Sequence, residues 1–580
     1  MVARTPTRWW ARVGLACLVT SLLLTACASQ DGVQPTLGKP ADSTSPQAPA
    51  SGDGPQQLPT GAASGAVETA AEPPATAPST PATPSTGTNV NGTAGGDAAG
   101  DDAPDRVVGG PFPTPVEPGK VFDVAISGGR VMDPETGFDR VANVGIDGDV
   151  VVAIADQPIH GRTEIDASGR VVAPGFIDLL SYAPNTYGVW YKIGDGVTTN
   201  LGLHGLELDA KRWFDRWSRT RPPVNYGGAF SWALTRGHMG INIYQPATPA
   251  QLEALEKDAE QCLKDGYIGI DLSLEYAPGI SRDEVLAAGR IAARYDVPLF
   301  FHGRYSDMVP PGTNFDTLDE ILSTARETGA SVHVEHINST GGTFTMPESL
   351  AVLDKARADG IDATACVYPY NYWGTYLGST RFDAGWQERF RISYDDLEVA
   401  GTGERLTEAT FTQYRRQNKL VVAYAIPEED IQAALKSPYV MLGSDAILEP
   451  SHNNHPRASG TFARVLGKYV REEKLISLMD GLAKMTILPA RRVEAAAPAM
   501  KRKGRLQVGA DADITIFNPD TVADRATVQD PAQFSAGIDW VLVAGQVVKD
   551  PSGVRRDVRP GRAVKSRLQP NTAIPTTVTP

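Results

Sequence analysis

Short strand patterns stand at both ends of the apolar part of this chain, and neither group can close a core without the other. Val121–Ile126 reads as a strand turned by Gly128-Gly129, and Val144–Ile146 and Val150–Ile154 flank Asp147-Gly148-Asp149, a hairpin signal. Their partners come only at Ile514–Phe517, Trp540–Val543 and, after Gly545, Val547-Val548. The economical solution is a small β-sandwich assembled from residues 118–172 and 503–560, which requires everything between to be one large insertion, 173–502.

That insertion alternates strand and helix. Ser281 and Glu284 form a capping box that opens a helix to about Arg294, and the strand Val297–His302 follows. Thr317 and Glu320 form a second box, with a helix to about Glu327 and then the strand Ser331–His336. Ser349–Ala358 is helical again, Asp362–Tyr368 is the next strand, and Val440–Gly443 is a later one. Alternation of this kind points to a parallel α/β fold, either an open doubly wound sheet or a (β/α)₈ TIM barrel. The barrel is favoured because His302, His336 and Asp445 all fall at the C-terminal ends of strands, where barrel enzymes place their chemistry.

The chain begins with processing signals. Arg4, Arg8 and Arg12 precede an apolar run, Val13–Leu24, that is too short for a membrane span of about 20 residues. Leu24-Thr25-Ala26-Cys27 then resembles a bacterial lipobox, which implies lipidation of Cys27 and a lipid anchor in the cell envelope. From residue 28 to 117 Pro, Ala, Ser, Thr and Gly dominate, with no aromatic residue before Phe112, so this stretch is expected to be a disordered tether. It holds nine acidic and two basic residues between Ala28 and Gly110, about half of the net charge of −14. The acidic balance argues against nucleic-acid binding and says little about a substrate. Residues 561–580 read as a flexible tail. Of four cysteines, Cys17 leaves with the signal and Cys27 takes the lipid; Cys262 and Cys366 lack metal-site spacing and are expected as buried free thiols.

The residues able to do chemistry are few. His302 and His336 end consecutive strands. Val332, Val334 and His336 share one strand face, so His333 points the other way and is expected to be structural. His204 follows the Gly196–Thr199 turn, and Asp445 follows Gly443-Ser444. Three imidazoles and one carboxylate suit a catalytic zinc: three protein ligands, one open position, and a base for the bound water.

Several ordered motifs carry a resemblance. Val172–Asp178 looks like the first barrel strand of the amidohydrolase superfamily. His302-Gly303-Arg304, Val334–Asn338, Tyr368-Pro369-Tyr370, Gly443-Ser444-Asp445 and His455-Pro456-Arg457 resemble the N-acyl-D-amino-acid deacylase branch, and Gly504–Leu506 with Gly509–Asp513 resemble its return into the sandwich. The chain departs from that family where a His-x-His pair is normal: Leu180 and Tyr182 stand there. The resemblance implies one zinc per chain on His204, His302 and His336, with Asp445 moving the proton of the attacking water. It further implies Arg457, Tyr370 and Arg304 as substrate-binding residues and a small-molecule amide substrate such as an N-acyl-D-glutamate. Two other readings compete: a lipid-tethered binding protein that has kept the barrel and lost the metal, and a cyclic-amide hydrolase, from which the Tyr-Pro-Tyr and His-Pro-Arg segments point away.

Overall fold

The computed structural model describes residues 108–568. The expected signal segment, Cys27 and most of the expected tether lie outside the described residues. Among the described residues no helix is long and apolar enough to cross a membrane.

Eight parallel strands form the barrel: β1 (Phe176–Asp178), β2 (Val197–Leu206), β3 (Asn225–Ser231), β4 (Ile270–Ser273), β5 (Leu299–His302), β6 (Val332–Val334), β7 (Ala363–Val367) and β8 (Val440–Leu442). They lie side by side in chain order, as strands separated by helices do when every crossover has one hand. Nearly all of their residues are buried, so the strands read as continuous apolar runs rather than alternating ones. The seam between β1 and β8 is closed differently. Asp445 N–H donates to the Leu180 carbonyl at 2.7 Å, Ser444 N–H donates to Asp178 Oδ1 at 2.9 Å, and the Lys192 ammonium donates to Asp178 Oδ2 at 2.6 Å and Ser444 Oγ at 2.7 Å.

The composite β domain is present. Val121–Asp133, Phe138–Asp147, Val150–Ala155, His160–Asp166 and Val171–Pro174 join Ile514–Phe517, Ile538–Val543, Gln546–Asp550 and Gly553-Val554 in one nine-stranded ladder. The two ends of the chain meet where Ile514–Phe517 pairs antiparallel with Val171–Pro174. Val124, Ile126, Val144, Ile165, Ile514, Ile516 and Leu542 share one apolar cluster, which is why neither half stands alone.

Several expected boundaries move. Order begins before residue 118, because Phe112 packs edge-on against Phe138 and Thr114 N–H donates to the Ile154 carbonyl at 2.8 Å. Residues 561–568 are not a free tail: Val564 is fully buried, its N–H donates to the Tyr226 carbonyl at 2.7 Å, and Tyr226 N–H donates to the Arg562 carbonyl at 2.9 Å. The helix expected at Thr317 begins at Asn314, with Thr313 as N-cap and Asp316 completing the capping box. Thr317 Oγ1 instead donates to the Tyr305 carbonyl at 2.9 Å. The next helix starts at Met346, ahead of Ser349, because Pro347 fits its first turn. Both thiols, Cys262 and Cys366, are free and buried.

An antiparallel sheet sits between β7 and β8 and had no counterpart in the sequence reading. It comprises Trp373–Tyr376, Leu397–Val399, Glu404-Arg405 and Leu420–Ala423. Tyr276 Oη, just past β4, donates to Thr375 Oγ1 at 3.2 Å, which ties this inserted sheet to the C-terminal mouth of the barrel.

Candidate active site

The C-terminal ends of β2, β5 and β6 bring His204, His302 and His336 together. Their ring centroids are 4.7 to 5.8 Å apart, and all three are buried. His302 is the last residue of β5. His204 lies within β2, where the pairing with β3 slips between Gly202 and Leu206; such a bulge re-aims a side chain. His336 sits two residues beyond β6 with φ of +27°, and Asp445 three beyond β8 with φ of +49°. Left-handed backbone at a non-glycine residue costs about 1–3 kcal/mol and persists where its surroundings over-determine it. Here His336 N–H is held by Cys366 Sγ at 3.2 Å and Asp445 N–H by Leu180.

The turn at His336 also breaks strand alternation, so Glu335 faces inward beside it instead of outward with His333. His204, His302, Glu335 and His336 offer ligand atoms all within 4.8 Å of one another, a grouping suited to a metal ion. The sequence reading missed Glu335 because strict alternation excludes it. His333 stays structural: its Nδ1 lies 2.8 Å from Thr364 Oγ1 and its ring packs on Phe300.

The hydrogen bonds assign one free nitrogen to each imidazole. His204 Nδ1 is 2.5 Å from Glu335 Oε2, leaving Nε2. His302 Nε2 is 2.9 Å from Glu275 Oε2, leaving Nδ1, which is buried without a partner. His336 Nδ1 is 3.4 Å from Thr340 Oγ1, leaving Nε2, which lies 4.0 Å from Asp445 Oδ2. Two ligands of one tetrahedral zinc, at bonds of about 2.0–2.1 Å, stand about 3.3 Å apart, so the 2.5 Å contact of His204 with Glu335 is a proton-sharing bond and not a pair of co-ligands. A carboxylate on the outer nitrogen of a ligating histidine is the usual way its tautomer is fixed. These residues fit a zinc on three imidazoles.

The electrostatics agree. Burial, then neighbouring positive charge, keeps His302 well below the ordinary imidazole pKa; burial does the same for His336 against the upward pull of the Asp445 carboxylate, so both are neutral donors. Burial opposes charge on His204, but the Glu335 carboxylate outweighs it and carries the imidazole pKa upward; burial likewise raises Glu335, so a proton stays between the two. Asp445 is buried, which raises its pKa, but Arg457 and then the histidines outweigh that and hold it at about 2. Its Oδ2 takes Arg457 Nη2 at 2.8 Å and its Oδ1 takes the Tyr182 hydroxyl at 3.0 Å. Tyr182 therefore does not replace a ligand; it orients Asp445, edge-on to the His204 ring.

Of the expected substrate-binding residues, only Arg457 reaches this centre, lying over the Tyr368 ring as well as on Asp445. Arg304 is a correction: its guanidinium is used by both Glu320 oxygens and by the Pro278 and Ile280 carbonyls, all at 2.8 to 2.9 Å, so it clamps a loop. Tyr370 is a second correction. Its ring lies among Tyr372, His455 and Arg464, fully buried, and its hydroxyl faces Gly460; Tyr368 is the tyrosine that neighbours His336.

Residues 307–549 match the Amidohydrolase family. The chain is 32% identical over 492 residues to N-acyl-D-glutamate deacylase of Alcaligenes xylosoxydans xylosoxydans, covering 77% of this chain and 96% of the relative. It is 30% identical over 471 residues to D-aminoacylase of the same organism, covering 74% and 94%. Its fold is similar to the crystal structure of N-acyl-D-glutamate deacylase from Bordetella bronchiseptica complexed with zinc and a phosphonate inhibitor that mimics the tetrahedral intermediate, with a TM-score of 0.68, 28% identity, and coverage of 77% of this chain and all of that one.

Proposed function

Since the chain belongs to the amidohydrolase family, in its D-aminoacylase branch, we propose that it hydrolyses the linear amide of an N-acyl-D-amino acid, an acidic one of the D-glutamate kind, with one zinc per chain. The coarser activity is that of a metal-dependent amidohydrolase, which breaks amide C–N bonds. The observation that carries the zinc reading is the grouping of His204, His302 and His336, whose ligand nitrogens, one from each, lie within 4.8 Å of one another, beside the Asp445 carboxylate, 4.0 Å from His336 Nε2.

A zinc held by these three nitrogens supplies Lewis acidity and lowers the pKa of water toward about 7. Asp445 is ionised at neutral pH and is the group placed to take a proton from water and hand it to the leaving amine. While Arg457 rests on it, Asp445 is a weak base. A substrate carboxylate matches the guanidinium better, because two parallel bonds can form, and it draws Arg457 away. Asp445, still oriented by Tyr182, then regains basicity only when substrate is present. The acidic substrate class rests on the relatives. Attachment to the cell envelope rests on Leu24–Cys27 alone, and a Cys27→Ser chain that still incorporates an acyl label in cells would refute it.

The deciding experiment measures bound metal by mass spectrometry and hydrolysis of a panel of N-acyl-D- and N-acyl-L-amino acids, with His204→Ala and His336→Ala beside the parent. About one zinc per chain, lost in both variants together with D-specific hydrolysis, supports the proposal. A folded protein that takes up no zinc refutes it and leaves the tethered binding protein.

A further inference from the structure

His302 and His204 are both backed by carboxylates, but only the one behind His302 has a counter-charge brought in from elsewhere in the fold. Glu275 follows β4 and is buried. Its Oε2 lies 2.9 Å from His302 Nε2 and 3.0 Å from Arg381 Nη1. Arg381 belongs to the insertion between β7 and β8, in the short turn Thr380–Phe382. Its guanidinium is packed over the Trp373 ring at 4.2 Å and the Phe390 ring at 4.8 Å, and it also donates to Ser339 Oγ at 3.2 Å. The same turn reaches the Glu275 backbone, with Thr380 Oγ1 donating to its carbonyl at 2.7 Å. Glu275 is thus fixed at side chain and main chain by an element outside the eight strands.

We propose that Glu275 and Arg381 are positioning residues which fix His302 with Nδ1 toward the metal, and that through them the inserted sheet sets metal affinity. This rests on the reading of the site as a zinc centre. The physical reason is the tautomer. Nδ1 offers a lone pair only if Nε2 carries the proton, and an acceptor at Nε2 enforces that state. A buried carboxylate without a partner is costly, and Arg381, 3.0 Å from Glu275 Oε2, supplies the counter-charge that offsets that cost. The two therefore act together, Glu275 on the imidazole and Arg381 through Glu275, so their losses on substitution are not additive.

The test uses the full chain, freed of metal and titrated with zinc against a chromophoric chelator, with cobalt as a spectroscopic probe. Glu275→Leu is expected to weaken zinc binding about 10- to 100-fold. Glu275→Gln, whose amide oxygen still accepts from Nε2, is expected to lose less, and Arg381→Met to fall between. The double variant Glu275→Gln with Arg381→Met is expected to bind no more weakly than about the worse single variant, because residues acting as one unit are not additive. The visible bands of the cobalt form should shift in every Glu275 variant, while metal-free Glu275→Gln, though it melts lower because Arg381 loses its buried partner, still unfolds in one cooperative transition. If Glu275→Leu does not fold, Glu275→Gln and Arg381→Met carry the test. Parent protein that binds zinc while all variants match it within about twofold overturns the clamp, as does a double variant whose loss is the product of the single losses. Parent protein that binds no zinc overturns the metal reading itself.

Discussion

Replacing Arg457 by methionine separates two roles the geometry allows: gripping a substrate and restraining Asp445. At rest the guanidinium makes one bond to the Asp445 carboxylate, Nη2 to Oδ2 at 2.8 Å, and a second, from Nε at 3.0 Å, to the Asp445 carbonyl. With substrate it would trade one carboxylate bond for two. The net gain is about one charge-assisted hydrogen bond, about 1.5–3 kcal/mol, or about 10- to 150-fold in kcat/KM. The assay compares Arg457→Met with the parent on N-acetyl-D-glutamate and on an analogue whose α-carboxylate is a carboxamide. The acid should lose that factor, chiefly through KM. The carboxamide should instead be hydrolysed faster than by the parent, since in the parent it leaves Arg457 on Asp445 and Asp445 a weak base. Equal losses on both would refute the reasoning and leave Arg457 as a prop for Asp445.

Lys192 and Asp178 are both fully buried, so Lys192→Met strands a carboxylate and should cost about 3–5 kcal/mol in urea unfolding, whereas Lys192→Met with Asp178→Leu should recover much of it; a single variant as stable as the parent contradicts the seam described above. Burial pushes Asp430 up to about 6, from an ordinary 3.8, against the pull of the Phe344 and Met346 amides, so the parent gains stability as pH falls through 6 toward 3.8. Asp430→Asn should therefore melt higher than the parent at pH 8, with the difference shrinking toward pH 4; a gap independent of pH dismisses this. Ending the chain at Arg559 removes the burial of Val564 and should cost at least about 1.5–3 kcal/mol, read as a lower melting temperature; an unchanged melting temperature would show that the last segment contributes nothing.

What the sequence disclosed is what local pattern can carry. The two half-domains were legible because strand patterns without local partners must find distant ones, and His302, His336 and Asp445 because a polar residue ending an apolar strand has few other uses. Glu335 was hidden by a rule that is right for a regular strand and fails at His336, where φ turns positive. Glu275 and Arg381 were hidden for another reason. Nothing periodic marks β4 or the inserted turn, and the link between them spans 106 residues. Arg304 and Tyr370 stood in matching motifs and were given roles by position alone, but a guanidinium with Glu320 and two carbonyls in reach goes to them first. The docked segment at 561–568 had only Ala563, Val564 and Leu568 to announce it, apolar residues interleaved with charged and polar ones in no regular period.

The substitutions at Leu180 and Tyr182 decide how this site differs from a plain loss of ligands. Deleting two imidazoles from β1 would leave Asp445 on a strained turn with little to hold it. Instead the Leu180 carbonyl fixes the Asp445 amide, the Tyr182 hydroxyl fixes one carboxylate oxygen, and Asp178, two residues before Leu180, ties Ser444 to the same strand. Strand β1 and the residues that follow it thus support one carboxylate. That carboxylate faces His336, and the other two imidazoles are backed by Glu275 and Glu335. A site kept only for binding has no need of such supports, because a ligand tolerates a loosely held carboxylate, whereas proton transfer depends on placement within tenths of an ångström. The investment lies in orientation, and orientation is what a hydrolytic site requires.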